Sequence, residues 1–295
     1  MLFASLAGFG PGHPIATRLA RLGAVPGWLD NPPCWDVAEP SIFLLSDSGQ
    51  RSERCWPGLH FVVAANASPA ADAVVGDSDA AGRIDTLWAG RLVPFEANLR
   101  AGRRAPRRQQ AVLAGPDPTW PGQARRLIDR LRFSVGGQII RVDHIGSTSV
   151  PGLAAKQLID IQVVVADLAT AAQVAKAARR SGFVRVPGQW SGTDRHGTEH
   201  PEEVVVDADP GRPVNVNIRP VGAPVWRETL LLRDWLRGHE GERDAYAVMK
   251  RGLADRPGLD VDDYSELKMP WISAALGRAE DWAAATNWPD RSEPA

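Results

Sequence analysis

The segment RVDHIGSTSVPGLAAKQLIDIQVVV, residues 141–165, has small, hydroxyl-bearing and charged side chains at a spacing typical of a phosphate site. Gly146 follows a strand-like run and allows a phosphate group to approach the backbone closely. Asp160, on the next apolar strand, can hold a divalent cation against that phosphate. Anionic oxygens can be held at a helix start by the amides and hydroxyls of three consecutive residues, Ser147, Thr148 and Ser149. The pattern predicts a nucleotide site.

Three pairs of side chains on later helices could bind a polyanion. The members of each pair are four residues apart, so they project from one helix face. The pairs are Arg233 with Arg237, Tyr246 with Lys250, and Tyr264 with Lys268. A cation beside a second donor suits a phosphate chain, and surface salt bridges are the alternative. Only four of the 34 basic residues are lysines, namely Lys156, Lys176, Lys250 and Lys268.

Two other groups of residues have a structural and a functional interpretation. His144 precedes the glycine turn and is either a general base or phosphate ligand, or a partly buried structural histidine. A metal-like composition also occurs in the segment SGTDRHGTEHPEE, at Asp194, His196, Glu199 and His200. Because that segment is polar and contains glycine, we interpret it as a solvated loop.

Hydrophobic patterns predict the elements that position these residues. Apolar residues have the spacing of an amphipathic helix in two segments, QARRLIDRLRFSV and LATAAQVAKAARRSGF. They have the spacing of a strand in three segments, IIRVDHI, QLIDIQVVVADL and PVNVNIRPV, and the final third of the chain is predicted to be helical. This order predicts an α/β or α+β domain of about 180 residues. Residues 1–100 indicate a small α/β unit, with one helix over 79–99 that Pro94 interrupts. RAGRRAPRRQQ indicates a solvated linker.

Composition excludes several classes of protein. The 295 residues carry 34 basic and 35 acidic side chains, a formal net charge of −1, which argues against a nucleic-acid-binding domain. Cys34 and Cys55 lack partners at ligand spacing, so neither a disulfide framework nor a zinc site is indicated. We expect neither a signal peptide nor a membrane span, because the first residues lack a basic region and no window of about 18 uninterrupted apolar residues occurs. We therefore expect a cytoplasmic protein with a small-molecule substrate, without nucleic-acid or membrane partners.

The run HIGSTSVPGLAAKQLIDI resembles the signature of the GrpB family, whose fold is that of the polymerase-β-like nucleotidyltransferases. The resemblance covers about residues 107–290 and continues through PDPTWPGQARRLIDRL, LLLRDWLRGHEGERDAYAVMKRGLA and DDYSELKMPWI. It implies a nucleotidyltransferase-like mixed sheet with a helical C-terminal part over residues 111–290. It also implies a bound nucleoside triphosphate such as ATP, whose charge Lys156 or Arg219 would neutralise.

The sequence departs from that family pattern at two positions. Nucleotidyltransferases usually hold two Mg²⁺ ions with paired carboxylates, whereas this strand has Asp160-Ile161-Gln162. Gln162 is neutral, so we expect at most one Mg²⁺, held by Asp160. Asn217 stands where the family often has a histidine, and it can hydrogen-bond but cannot act as a general base near neutral pH. Gln162, Asn217 and Arg219 remain candidates for binding the nucleotide.

The first hundred residues resemble a shortened dephospho-CoA kinase, an enzyme that a GrpB-like domain follows on the same chain in actinobacterial-type proteins. SLAGFGPGHPIATRLARLGA resembles its phosphate loop, but Ala7 replaces the first glycine, and His13 and Pro14 replace the lysine and hydroxyl residue. We interpret residues 1–100 as a degenerate remnant without kinase activity, retained for packing or homodimer formation. Residues 101–110 are then a linker to the domain at 111–290.

Two functions are consistent with these observations. The first is an enzyme that transfers a nucleotidyl or phosphoryl group from ATP or another nucleoside triphosphate to a small acceptor, a carboxylate being one candidate. Its catalytic residues would be Asp160, His144 and Lys156, with one Mg²⁺ ion. The second is a non-catalytic module that binds a nucleotide or CoA-like anion, or that stabilises the fold of a partner.

Overall fold

The computed structural model describes the backbone of residues 3–7, 14–23, 25–28, 41–45, 61–64, 72–76 and 79–289. These residues form an α/β protein with one parallel and one mixed sheet. Within them, no helix combines the length and the apolar character needed to cross a membrane.

The N-terminal sheet contains five parallel strands. They are β1 (Phe3–Ala7), β2 (Val25–Trp28), β3 (Ser41–Leu45), β4 (Phe61–Ala64) and β5 (Ala73–Val74). Their order is β2-β1-β3-β4-β5, and helix α1 (Pro14–Arg21) makes the crossover between β1 and β2 that a parallel pair requires. The α/β character predicted for this part is confirmed. The phosphate-loop comparison depends on residues 8–13, which lie outside the described residues.

A nearly continuous helical segment joins the two sheets. It contains α2 (Ala80–Leu87), one π-helical stretch (Trp88–Leu92) and α3 (Val93–Ala101). Pro94 does not end this segment as we expected; it lies in the first turn of α3, directly after the π-helical stretch.

The C-terminal sheet is mixed. Its strands are β6 (Arg141–Ile145), β7 (Ile159–Val165), β8 (Phe183–Arg185), β9 (Trp190–Thr193), β10 (Glu199–Asp207) and β11 (Val214–Pro220). The order is β6-β7-β11-β10-β8, with β9 paired to β10. Only β7 and β11 are parallel among these pairs. This is the mixed sheet that the family resemblance implies.

Six α-helices belong to the same part of the chain. They are α4 (Trp120–Val135), α5 (Leu168–Ala177), α6 (Pro224–Gly238), α7 (Glu240–Ala254), α8 (Val261–Leu267) and α9 (Met269–Thr286). Ile161 and Val163 of β7 pack with α4 and α5, whereas Val164 packs with Trp226 of α6. Since side chains alternate along a strand, Asp160 and Gln162 share the face of Val164. The helices α6, α7 and α9 form a further core beside that face.

The N-terminal helices pack directly on the C-terminal sheet. Leu19, Ile84 and Phe95 form one apolar cluster with Val204 and Val206 of β10. Arg91 adds an ion pair to Asp209 at 2.7 Å. This packing is consistent with the structural role expected for the first hundred residues.

The arginine-rich linker is solvated only in part. Arg103, Arg104 and Arg108 are exposed, but Arg107 donates to Asp207 at 2.6 Å and to the Asn215 side chain at 2.8 Å. The sequence pattern did not distinguish this arginine from its neighbours, because its partners are about a hundred residues away along the chain.

The segment with metal-like composition forms a β hairpin between β9 and β10, whose turn is solvated at His196 and Glu199 as we expected but not at Asp194. Asp194 is buried and accepts hydrogen bonds from His200 Nε2 and from the amides of His196 and Thr198, each at 2.9 Å. These bonds, led by that of His200, lower the pKa of Asp194 to about 2. No group of three metal-ligating side chains occurs among the described residues.

Candidate phosphate-binding site

A cavity of about 150 Å³ lies between β7, β11, α7, α8 and the turn after β6. It is lined by Ser147, Ala155, Lys156, Leu158, Asp160, Asn215, Lys250, Tyr264, Ser265 and Lys268. Six of these residues were predicted site residues, so the fold brings together positions that are more than a hundred residues apart in the sequence. Ser265 was missed, because a lone serine in a helix carries no signal.

Three of the four lysines of the chain line this cavity. They are Lys156 before β7, Lys250 on α7 and Lys268 at the end of α8, whereas Lys176 is exposed on α5. Asp160 is the one carboxylate in the lining. The site therefore has an excess of positive charge, which favours an anionic ligand.

Burial and mutual repulsion make the charged forms of these lysines unfavourable. Burial, followed by the charge of Lys268, lowers the pKa of Lys250 to about 7. Burial, followed by the charge of Lys156, lowers the pKa of Lys268 to about 8. The pKa of Lys156 is also lowered, mainly by burial. A bound polyanion would reverse these shifts, because an opposite charge nearby favours the ammonium form.

The glycine at the start of the turn is required by its neighbour across the cavity. Gly146 has φ 68° and ψ −173°, a conformation essentially restricted to glycine. A Cβ at this position would lie 2.5 Å from Asp160 Oδ2 and 2.9 Å from Asp160 Cβ. The turn thus packs so closely against Asp160 of β7 that no side chain fits between them.

The turn itself, Ser147–Ser149, is a single 3₁₀ turn and not the start of an α-helix. The Ser149 amide and hydroxyl both donate to the Gly146 carbonyl, at 3.1 Å and 2.6 Å. A helix dipole is therefore absent here, so an anion would be held by lysines rather than by helix amides. This corrects our expectation of a helix start.

Ser147 makes the turn's contact with the lysines. Lys250 Nζ lies 3.1 Å from Ser147 Oγ and also donates to the carbonyl of Ala154. The Tyr246 side chain hydrogen-bonds Ser147, while burial raises the pKa of this phenol to about 12. Tyr246 stacks on Trp271 with ring centroids 4.5 Å apart. Ser147 thus lies between a buried amine and a phenol that stays protonated.

Asp160 is held from the opposite side by a polar chain. Its side chain hydrogen-bonds Asn215, whose Oδ1 accepts from Arg107 Nη1 at 2.8 Å. Burial raises the pKa of Asp160, against the opposing charges of Lys156 and Lys268. Arg107 was absent from the predicted site, and together with Asn215 it fixes the carboxylate at the cavity wall.

The ring of Tyr264 positions two of the lysines. Lys156 Nζ and Lys268 Nζ lie 5.4 Å and 5.0 Å from its centroid, within cation–π range. The side chain is 1% exposed and packs against Leu253. Tyr264 is the only aromatic residue in the lining, and with its ring already occupied it is poorly placed to stack on a nucleobase.

Gln162, Asn217 and Arg219 are not among the lining residues. Gln162 is fully buried; its Oε1 accepts from Arg219 Nη1 at 2.7 Å and its Nε2 donates to the Trp226 carbonyl at 3.1 Å. Arg219 also pairs with Glu202 at 2.5 Å. Asn217 lies opposite Gln162 in the β7–β11 register. Gln162 and Arg219 thus belong to a buried polar network beneath α6 that lies apart from the cavity lining.

Another group braces the turn from outside the cavity. His144 Nε2 and Thr148 Oγ1 are 2.9 Å apart, and Arg233 donates to the His144 carbonyl at 3.1 Å. Arg237 donates to the Ser149 carbonyl from Nε and Nη2, at 3.0 Å and 2.7 Å. Burial, with the charges of both arginines, lowers the pKa of His144 to about 4. His144 is thus neutral at pH 7 and in contact with the turn.

Comparison with known proteins identifies the family. The GrpB protein family matches residues 110–278, which include every residue of the cavity lining. A UPF0157 protein of Halalkalibacterium halodurans is 33% identical over 184 residues, covering 61% of this chain and 88% of that protein. A crystal structure of GrpB from Enterococcus faecalis gives a TM-score of 0.49 at 23% identity, covering 58% of this chain and 99% of that chain.

Proteins named dephospho-CoA kinase also match. The one from Mycolicibacterium paratuberculosis is 39% identical over 225 residues, and the one from Mycobacterium tuberculosis 37% identical over 224, each covering 70% of this chain. In both cases the chain spans about half the length of the relative, 54%. With more than half of its residues matched by the family, the chain belongs to the GrpB family.

Proposed function

We propose that the cavity binds the phosphate groups of a nucleoside triphosphate, and that the domain transfers a nucleotidyl or phosphoryl group to a small-molecule acceptor. The observation that carries this proposal is the convergence of Lys156, Lys250 and Lys268 on Ser147 and Asp160. In the free protein, the charges of three partly desolvated amines are not neutralised by the single carboxylate beside them. A polyphosphate would supply the missing negative charge.

The size of the cavity supports a phosphate chain as the inserted group. Pockets that enclose a whole drug-sized ligand usually have volumes of about 300–1,000 Å³, twice this volume or more. The nucleoside would therefore remain at the mouth while the phosphates enter. Lys156 and Lys268, set around the Tyr264 ring, would contact phosphate oxygens.

One Mg²⁺ ion fits the side chains present, and two do not. Mg²⁺ is commonly held by one or two carboxylates together with substrate phosphates and water, and Asp160 can supply that single carboxylate. Gln162 cannot contribute, because both ends of its amide are bonded within the buried network. When bound, Mg²⁺ would neutralise phosphate charge, while the lysines orient the chain.

A non-catalytic module that binds a nucleotide or CoA-like anion, or that stabilises a partner's fold, is the second candidate. It is favoured by the single carboxylate and by the packing of α2 and α3 against β10. The relatives named dephospho-CoA kinase motivate CoA-like ligands. For this chain we propose that the N-terminal segment lacks that kinase activity, since His13 and Pro14 replace the lysine and hydroxyl residue.

Isothermal calorimetry with ATP, GTP, dephospho-CoA and CoA, each with and without Mg²⁺, tests the proposal. We expect ATP to bind and Lys156→Met and Lys268→Met each to weaken binding at least about tenfold, since charged hydrogen bonds contribute about 1.5–3 kcal/mol. Lys176→Met is the matched control and should leave binding unchanged. If none of the four ligands releases or absorbs heat on titration, and none raises the melting temperature of the protein, the nucleotide site is refuted.

The same ligands separate the two candidates. Release of ADP or pyrophosphate from ATP, stimulated by an added acceptor and lost in Asp160→Asn, supports the transferase. Tight binding of ATP or CoA without turnover, with every acceptor class tested, supports the non-catalytic module.

A further inference from the structure

Ser147 has the surroundings of an activated hydroxyl. Its Oγ lines the cavity and lies 3.1 Å from Lys250 Nζ, the amine of a side chain that is 1% exposed. A phosphate ligand needs only a hydroxyl donor. A nucleophile needs in addition a base that can take its proton, and a Ser–Lys pair is a known solution to that requirement.

The hydrogen bonds around Lys250 are satisfied when its amine is neutral. A neutral amine has two N–H groups and one lone pair; one N–H is used by the Ala154 carbonyl, and the lone pair can accept the Ser147 hydroxyl proton. The phenol of Tyr246, protonated because its pKa is raised to about 12, can donate to the same Oγ. Ser147 would then give one hydrogen bond and receive one.

The charges facing Lys250 favour that neutral form. Besides burial, the groups that lower its pKa to about 7 are Lys268 from the end of α8, Arg251 on its own helix and Lys156 from the segment before β7. Asp160, on β7, is the carboxylate of the same cavity. Cations therefore outnumber anions around this amine, and the neutral form is available near pH 7.

We propose that Ser147 is a nucleophile that accepts the terminal phosphoryl group of a nucleoside triphosphate, with Lys250 as its general base. This inference rests on the function proposed above and adds a covalent step to it. The Ser147 proton moves to Lys250 Nζ and the Oγ–P bond forms. The bond from that phosphorus to the bridging oxygen breaks, and the nucleoside diphosphate leaves with the electron pair. The product is phosphoserine at position 147.

The rest of the cavity suits phosphoryl rather than acyl transfer. Lys156 and Lys268 stand beside Ser147 as two further cations, which match the charge of a transferring phosphoryl group. The terminal phosphorus is also the first to reach Ser147, because the cavity volume of about 150 Å³ is too small to admit the nucleoside ahead of it.

The experiment uses the full chain and ATP with Mg²⁺ in the absence of any acceptor. Intact-protein and peptide mass spectrometry should find one added HPO₃ group on Ser147, with a matching amount of ADP. Radiolabel at the terminal phosphorus of ATP should remain on the protein, and label at the α-phosphorus should not. At ATP concentrations well below saturation, where the rate reports the free protein with the Lys250 pKa of about 7, the initial rate of labelling should rise about tenfold in total as the pH increases from about 6 to 8.

Two variants and one control identify the roles. Ser147→Ala should remove the label. Lys250→Arg keeps a cation but cannot act as a base near neutral pH, so at ATP concentrations that saturate the variant it should lower the labelling rate at least about a hundredfold, the smallest general-base effect usually seen. Lys176→Arg, on the exposed face of α5, should label like the unchanged chain. If Lys250→Arg does not fold, the pH profile of the unchanged chain still tests the base.

The outcomes separate this inference from the proposed function. ATP that binds in calorimetry but leaves no label on Ser147 in single-turnover quench experiments would overturn the nucleophile and leave the nucleotide site standing. A whole nucleotide attached to Ser147 would overturn the terminal-phosphate assignment. Absent ATP binding would refute the proposed function itself.

Discussion

Replacing Gly146 by alanine should destabilise the protein through two separable effects. The backbone conformation, φ 68° and ψ −173°, costs a residue with a Cβ about 1–3 kcal/mol. The new Cβ would also meet Asp160 Oδ2 at 2.5 Å and Asp160 Cβ at 2.9 Å, and overpacking of this kind typically costs about 1–3 kcal/mol more. We therefore expect a loss of roughly 2–6 kcal/mol in the free energy of unfolding.

Urea unfolding followed by circular dichroism measures this loss, with unchanged m-values as evidence that only stability has changed. Two alanine variants are controls. Gly222 has φ +86°, and a Cβ added there would have no atom within 4 Å, so its alanine variant reports backbone strain alone, about 1 kcal/mol. Gly252, exposed in α7 with equal space, should gain about 0.5–1 kcal/mol as alanine.

A loss at Gly146 no larger than that at Gly222 would show that the turn does not approach Asp160 as described. The same variant displaces the Asp160 carboxylate, so any Mg²⁺-dependent part of ATP binding should weaken more than the Mg²⁺-independent part.

Three further predictions follow from the site. Because the pKa of Lys268 is about 8 in the free protein and a polyanion favours its charged form, Lys268 should contribute about half a proton at about pH 8, and less at lower pH, to the proton uptake on ATP binding; calorimetry in buffers of different ionisation enthalpy measures the uptake, and Lys268→Arg should remove this contribution. Gln162→Glu should destabilise the fold by about 1–3 kcal/mol without raising Mg²⁺ affinity, because the Trp226 carbonyl loses its donor; a gain in Mg²⁺ affinity would contradict the placement of Gln162. Arg107→Ala should leave the buried Asp207 carboxylate without its ion-pair partner and destabilise the protein by about 3–5 kcal/mol. Urea unfolding measures this loss, and a variant as stable as the unchanged protein would contradict the prediction.

Local pattern and family resemblance were sufficient to predict much of this molecule. The apolar β7 and the amphipathic α4 and α5 lie where hydrophobic periodicity predicts them. Ser147, Asp160 and the lysines were predicted from the turn motif and from residue pairs on helices. The arrangement around Gln162 could not be predicted, because Asp160 and Gln162 share one face of β7 and only the packing of α6 over part of that face places Gln162 beneath a helix and Asp160 beside the cavity. Arg107 was missed for a similar reason: its partners are remote in the sequence, and its neighbours are solvated arginines.

The distribution of lysines makes this protein suited to selective amine chemistry. Acylating and aldehyde reagents attack the neutral amine, so their preference among lysines depends on pKa as well as on access. Three of the four lysines lie in one cavity, and the pKa values of Lys268 and Lys250 are about 8 and about 7. In mildly alkaline solution the half-buried Lys268 would therefore present a neutral, nucleophilic amine. Lys176 serves as the exposed internal reference. Protection of Lys268 from modification would then measure how far a ligand occupies the cavity, whatever reaction the protein performs.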